Sequence, residues 1–198
     1  SGSALGTNCG PLLIKKPSTF LTSESKISIP GELTTANLLL SFSNPEYTNK
    51  VEVVFSETEN QILLGNVDAG LIIHENRFTY QQKGLEKVKD LGEFWERKTK
   101  LPLPLGGIGM KRVLPLKTQQ TMQRVLRKSV QYAFRNRESS LEFILSHAQE
   151  IERDIIYSHI DLYVNSYSVS LGKKGREAVQ LLFEKAGYNS SYPPFLYL

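Results

Sequence analysis

Between Gly65 and Asn76 the chain reads Asn-Val-Asp-Ala-Gly-Leu-Ile-Ile-His-Glu, so that residues 67–73 form a short, nearly unbroken apolar run. A run of that length without polar alternation is the pattern of a strand buried on both faces, which a parallel sheet covered by helices requires. Upstream, residues 26–29 and 51–55 read as strands and residues 34–42 and 57–64 as helices. Pro30-Gly31, Asn44-Pro45 and Gly65 punctuate them. The order β-α-β-α-β predicts a parallel sheet in an α/β unit. Open sheets of this kind hold ligands beyond the carboxyl ends of their strands. His74 falls directly after such an end, which makes it the leading catalytic candidate.

The rest of the chain is arranged around this unit. A further strand is expected at residues 85–90 and a short helix carrying Trp95 at 93–98. Residues 101–109, Leu-Pro-Leu-Pro-Leu-Gly-Gly-Ile-Gly, are apolar but interrupted by prolines that cannot donate to a ladder. They fit an extended crossover better than a central strand. Beyond it, Met122, Val125, Leu126, Val130, Ala133 and Phe134 recur on one helical face opposite Arg124, Arg127, Lys128 and Gln131. Residues 141–148, 151–163 and 176–186 give three more amphipathic helices, and the aromatic, proline-rich tail 192–198 reads as an extended strap. Segments 10–16 and 101–111 bracket the α/β lobe as two hinge strands. The expected division is residues 17–105 as the α/β lobe, with residues 1–16 and 106–198 making up the rest of a second, mostly helical lobe. Two lobes joined by two crossing segments close on ligand like a clam.

Bulk properties exclude several classes. With 198 residues, 40% of them hydrophobic, the chain can bury a real core. No apolar run approaches the roughly 20 residues of a membrane helix, and the single cysteine, Cys9, has no intramolecular partner. A cytoplasmic location without membrane contact is expected. All charged residues between Glu96 and Glu138 are basic. A solvated helix face explains them better than a nucleic-acid surface, because aromatics do not alternate with the charges as a stacking platform requires. A carboxylate-bearing small molecule is the expected partner. The sequence carries no signal of oligomeric state.

Imidazole titrates near neutrality, so His74 can accept a proton from a hydroxyl or a carbon acid. His147 and His159, on amphipathic helices, read as packing or surface residues. Glu75 can orient His74 only if the backbone bends, since neighbouring strand residues point to opposite faces. Arg77 can meet a substrate carboxylate or pair with Glu75. Thr34-Thr35-Ala36-Asn37 opens a helix after a strand, and its N–H and hydroxyl groups suit a ligand oxygen. Taken by themselves they read as an ordinary cap. Cys9 reads as a small buried apolar residue. No zinc pattern, Walker loop or GxGxxG occurs, so neither metal nor cofactor is indicated.

The stretches Ala69-Gly70-Leu71-Ile72-Ile73-His74-Glu75-Asn76-Arg77-Phe78-Thr79-Tyr80, Asp90-Leu91-Gly92-Glu93-Phe94-Trp95-Glu96 and Leu101-Pro102-Leu103-Pro104-Leu105-Gly106-Gly107 together resemble the 1,4-dihydroxy-6-naphthoate synthase family of the futalosine route to menaquinone. The likeness spans the whole chain. It implies an α/β, two-lobed clamshell of the periplasmic-binding-protein (type II) kind. The implied activity is a cofactor-independent lyase that splits cyclic dehypoxanthine futalosine into 1,4-dihydroxy-6-naphthoate and a dihydroxyacetone-like fragment. His74 matches the family's proton acceptor. Thr35 and Ala36 match its substrate-contacting helix start, with Thr34 beside them. Family members begin with a further segment carrying the first strand and helix of the other lobe, whereas this chain opens Ser-Gly-Ser-Ala-Leu-Gly. The resemblance therefore implies that the N-terminal part of the first lobe is missing from this chain, and that the chain alone does not turn over. A solute-binding protein of the same fold and the sister enzyme chorismate dehydratase are the rival expectations.

Overall fold

The computed structural model describes residues 2–73, 76–148 and 152–188. In chain order the elements are β1 (Ser3–Gly6), β2 (Leu12–Lys15), β3 (Ile27–Ile29), α1 (Thr35–Ser43), β4 (Lys50–Glu52), α2 (Thr58–Leu64), β5 (Ala69–Ile72), α3 (Asn76–Thr79), β6 (Glu86–Asp90), α4 (Leu91–Thr99) and β7 (Leu103–Gly107). Five helices follow: α5 (Leu116–Arg135), α6 (Leu141–Leu145), α7 (Arg153–Tyr163), α8 (Ser166–Val169) and α9 (Gly172–Lys185). The chain divides into two compact units, Thr7–Lys100 and Ser1–Gly6 with Leu101–Leu198. The expected tail strap at residues 192–198 lies outside the described residues, as do His74 and Glu75.

The Thr7–Lys100 unit is built on a five-stranded sheet in the order β4-β3-β5-β2-β6. β3 runs parallel to β4 and β5, as expected from the β-α-β-α-β pattern. The sheet is nonetheless mixed, because β2 inserts antiparallel between β5 and β6. Residues 10–16, expected to be a hinge, therefore contain a central strand. Leu13 and Ile14 are fully buried there. Three consecutive apolar residues behind a Gly-Pro pair are too short a signal to reveal this from sequence.

Register fixes both faces. Leu12 lies opposite Ile72 and Ile14 opposite Gly70. Leu12, Ile14 and Ile72 pack with Ile62 of α2, Val67, Tyr80 and Leu85 in one cluster. Leu13 and its partner Leu71 alternate to the opposite face. On α4, Leu91 and Trp95 are buried, and α4 packs against α1 and the β2–β6 pair. At about 25 cal/mol per Å² each fully buried Leu or Ile stabilises the unit by about 1.5–3 kcal/mol relative to exposure. Gly70 lets α2 come down on the sheet. A Cβ there would meet the Ser28 hydroxyl and stand 2.6 Å from Thr58 Cγ2.

In the other unit β1 pairs antiparallel with β7. The proline-rich segment is thus a strand rather than a crossover, and Pro104 is tolerated because it faces Leu5 where the register slips. Asn165 donates to the Leu5 carbonyl at 2.7 Å and caps α8 in a reciprocal box with Ser168. Ala178 of α9 and Leu103 of β7 are fully buried. The long helix α5 forms as its periodicity predicts. However, Met122, Val125 and Phe134 on its apolar stripe remain 43%, 51% and 50% exposed. No helix among the described residues is long and apolar enough to cross a membrane.

Candidate functional site

Because β2 runs against its neighbours, Leu12 at its start lies between Ile72 at the end of β5 and Asp90 at the end of β6. One edge of the sheet therefore gathers the β3–α1 turn, the chain after β5, the Cys9-Gly10-Pro11 approach to β2 and the start of α4. Thr34, Thr35, Ala36 and Arg77, the described candidates of this unit, lie on that edge or within the segment that leaves it.

The β3–α1 turn is held by its own side chains. Thr34, extended at φ −98° and ψ 150°, is the N-cap of α1. Its hydroxyl donates to the Gly31 carbonyl at 2.7 Å and accepts from Asn37 N–H at 3.2 Å. Asn37 also donates to the Glu32 carbonyl at 2.8 Å, and Lys50 Nζ donates to Asn37 Oδ1 at 2.9 Å and to Ser41 at 2.7 Å. Burial lowers the Lys50 pKa from its ordinary value. The Thr34 hydroxyl is thus spent on the protein. The Thr35 hydroxyl and the N–H groups of Thr35 and Ala36 have no acceptor among the described residues, as expected at the first turn of a helix. Two N–H groups at the positive end of a helix dipole suit a ligand oxygen.

The segment after β5 is held from both sides. Ile72 is fully buried in the ladder, His74 and Glu75 lie outside the described residues, and Asn76 opens α3. Asn76 Nδ2 donates to Glu59 Oε2 at 2.7 Å. Lys83 Nζ donates to the same oxygen at 2.6 Å. Glu59 is fully buried on α2, and among the described residues its Oε1 has no hydrogen-bond partner, nor has the adjacent Thr58 hydroxyl. The sequence carried one mark of Glu59: it occupies a position three residues before Ile62 on the buried stripe of α2, where a carboxylate is out of place.

Arg77 is more enclosed than a ligand-facing arginine reads from sequence. Its Nη1 donates to the Gly10 carbonyl at 2.7 Å and its Nη2 pairs with Asp90 at 3.3 Å, with side chains 12% and 11% exposed. Asp90 also caps α4 through Gly92 and Glu93 N–H at 2.9 and 3.0 Å. Gly92 is required there, since a Cβ would stand 2.7 Å from the backbone N and Cα of Gly10. Asp-x-x-Glu before an apolar turn is a readable helix start. The Arg77–Asp90 pairing across the sheet edge is not readable. Cys9 beside this node is buried. Loss of hydration pushes its thiol up to about 11 against the opposing pull of Arg77, with Glu96 and Asp90 adding to the rise. That is the inert small residue expected, not a nucleophile.

Among the described residues no three His, Cys, Asp or Glu side chains stand together as a metal site. Arg124, Arg127, Lys128 and Arg135 are exposed along α5 in the other unit.

A family model described as menaquinone biosynthesis matches residues 1–188. A 1,4-dihydroxy-6-naphthoate synthase of Thermus thermophilus is 40% identical over 94% of this chain and 68% of its own length. The enzyme of the same name from Streptomyces coelicolor is 36% identical over 97% of this chain and 70% of its own. Among solved structures, a protein of Archaeoglobus fulgidus superposes with a TM-score of 0.87 at 33% identity, covering 94% of this chain and 70% of that one. The ligand-binding component of an ABC-type import system from Staphylococcus aureus gives a TM-score of 0.63 at 13% identity, over 100% of this chain and 69% of that one. That likeness shows the periplasmic-binding-protein-like α/β fold alone.

Proposed function

The chain belongs to the menaquinone-biosynthesis family, and we propose that within that pathway it is a lyase converting cyclic dehypoxanthine futalosine to 1,4-dihydroxy-6-naphthoate and a dihydroxyacetone-like fragment. The observation that carries the reading is the juxtaposition at one sheet edge. β5, the strand that precedes His74 in sequence, pairs in parallel with β3, the strand that runs into the α1 turn, where Thr35 and Ala36 offer N–H groups and Thr35 a hydroxyl with no acceptor among the described residues.

In this reading His74 takes the proton of a sugar-derived hydroxyl. The oxygen's electrons form a carbonyl as the neighbouring carbon–carbon bond breaks, and the pair released moves into the bicyclic ring system, whose aromatisation drives the step. A histidine suits the task because imidazole is the side chain able to accept and release a proton near neutral pH. Thr35 and Ala36 hold an oxygen-bearing part of the substrate in register, and Thr34 fixes the turn that presents them. Arg77, the remaining candidate substrate contact, acts in this proposal through the backbone it ties to Gly10 and Asp90. The reaction draws on no cofactor and takes place in the cytoplasm.

The experiment is to incubate the full-length enzyme with cyclic dehypoxanthine futalosine and follow 1,4-dihydroxy-6-naphthoate by chromatography. Appearance of that product is the expected outcome. Substrate bound but returned unchanged indicates a solute-binding protein, and turnover of chorismate in place of this substrate indicates the dehydratase.

A further inference from the structure

Glu59 spends a buried carboxylate where α2 needs only an apolar side chain. Its neighbour on the same stripe, Ile62, is fully buried, and so is Glu59 itself. A buried charge carries a desolvation cost that an apolar residue of similar size avoids, so its use calls for something other than packing. The bonds supply it. One oxygen, Oε2, receives Asn76 Nδ2 at 2.7 Å and Lys83 Nζ at 2.6 Å. Asn76 is the first residue of α3, and Lys83 closes the 3-10 turn Tyr80–Lys83 that follows it. A single carboxylate therefore grips both ends of residues 76–83. Upstream, Ile72 is fixed in the ladder between β3 and β2. Only residues 73–75 lie between these two anchors.

We infer that Glu59 is a positioning residue for the reaction: through Asn76 it anchors the chain two residues beyond His74, and by that anchor orients the base. The inference rests on the reading of His74 as that base. Lys83 supplies the counter-charge to the carboxylate, and its side chain is 46% exposed. The second oxygen, Oε1, has no hydrogen-bond partner among the described residues. Among the described residues the carboxylate's contacts are thus to the 76–83 segment.

A misplacement of about 1 Å can cost about 10²-fold in rate. Asn76→Ala, at a part-exposed site, is expected to lower kcat by about that factor with KM unchanged. Glu59→Ala, which also releases Lys83, should lose at least as much, and the double variant no more than Glu59→Ala alone, because the Asn76 link is already gone in it. Glu59→Gln keeps an acceptor for Asn76 Nδ2 and should recover most of kcat. The assays run beside His74→Ala on the full-length enzyme. Wild-type kcat in Asn76→Ala, whether or not Glu59→Ala is impaired, while His74→Ala is inactive overturns the positioning role and leaves the base in place. Activity retained by His74→Ala overturns the base itself, and with it the premise.

Discussion

The two units of this chain are built to different standards of closure. In Thr7–Lys100 a five-stranded sheet carries helices on its faces, and Leu13, Ile14, Leu40, Ile62, Leu71 and Trp95 are shut away from water, while Leu33 and Leu64 stay exposed at its rim. Among the described residues of the other unit the sheet is a two-stranded ladder, and Phe143 stays 69% exposed, as does about half of Val125 and Phe134 on α5. Isolated two-stranded ladders are marginal, whereas five strands with covered faces supply their own core. The difference teaches where rigidity is available. A site that must hold a base and helix N–H groups within fractions of an ångström is better placed on the closed unit, and that is where the candidates gather.

The contrast breaks most directly through large side chains. Trp95→Ala in α4 should cost roughly 3–5 kcal/mol by chemical denaturation, because it empties a fully enclosed site. Phe143→Ala, in the open unit, should change stability by less than about 0.5 kcal/mol. Similar costs for both would erase the distinction. Next comes the Arg77 node. Arg77→Ala leaves Asp90 enclosed without its cation and should cost about 3 kcal/mol, with much less lost on Arg77→Lys if charge alone matters. Thr34→Ala removes the α1 cap and should cost about 1 kcal/mol. The smallest effect is set by pH. Cys9 has its pKa raised from 9.0 to about 11, so the folded state retains a proton that the unfolded chain loses, and stability should fall as pH rises through that interval. Cys9→Ala should flatten that part of the stability profile, and native Cys9 should resist alkylation near neutral pH.

Much of the closed unit was legible because its signals are local. The apolar run leading to Ile72, the Thr34 cap and the helix pattern of α2 each depend on residues adjacent in sequence, and each appears where expected. What was not legible depends on pairing across sequence distance. β2 is defined by β5 and β6, more than fifty residues away, and Leu12–Lys15 gives no alternation to mark it. The β7 strand was hidden by prolines that only its irregular pairing with β1 accommodates. Thr34, Thr35, Ala36 and Arg77 could be named from sequence as candidates only, and the partners of Arg77 and the burial of Glu59 arise from packing between elements.

The central claim is that the chain following β5 delivers the base. It is tested most directly by single-turnover cleavage of cyclic dehypoxanthine futalosine by the full-length enzyme and by His74→Ala, with the folded state of each verified by its unfolding midpoint. The account predicts that the variant binds substrate but forms 1,4-dihydroxy-6-naphthoate about 10²–10⁴-fold more slowly. A rate within a few-fold of wild type would contradict it.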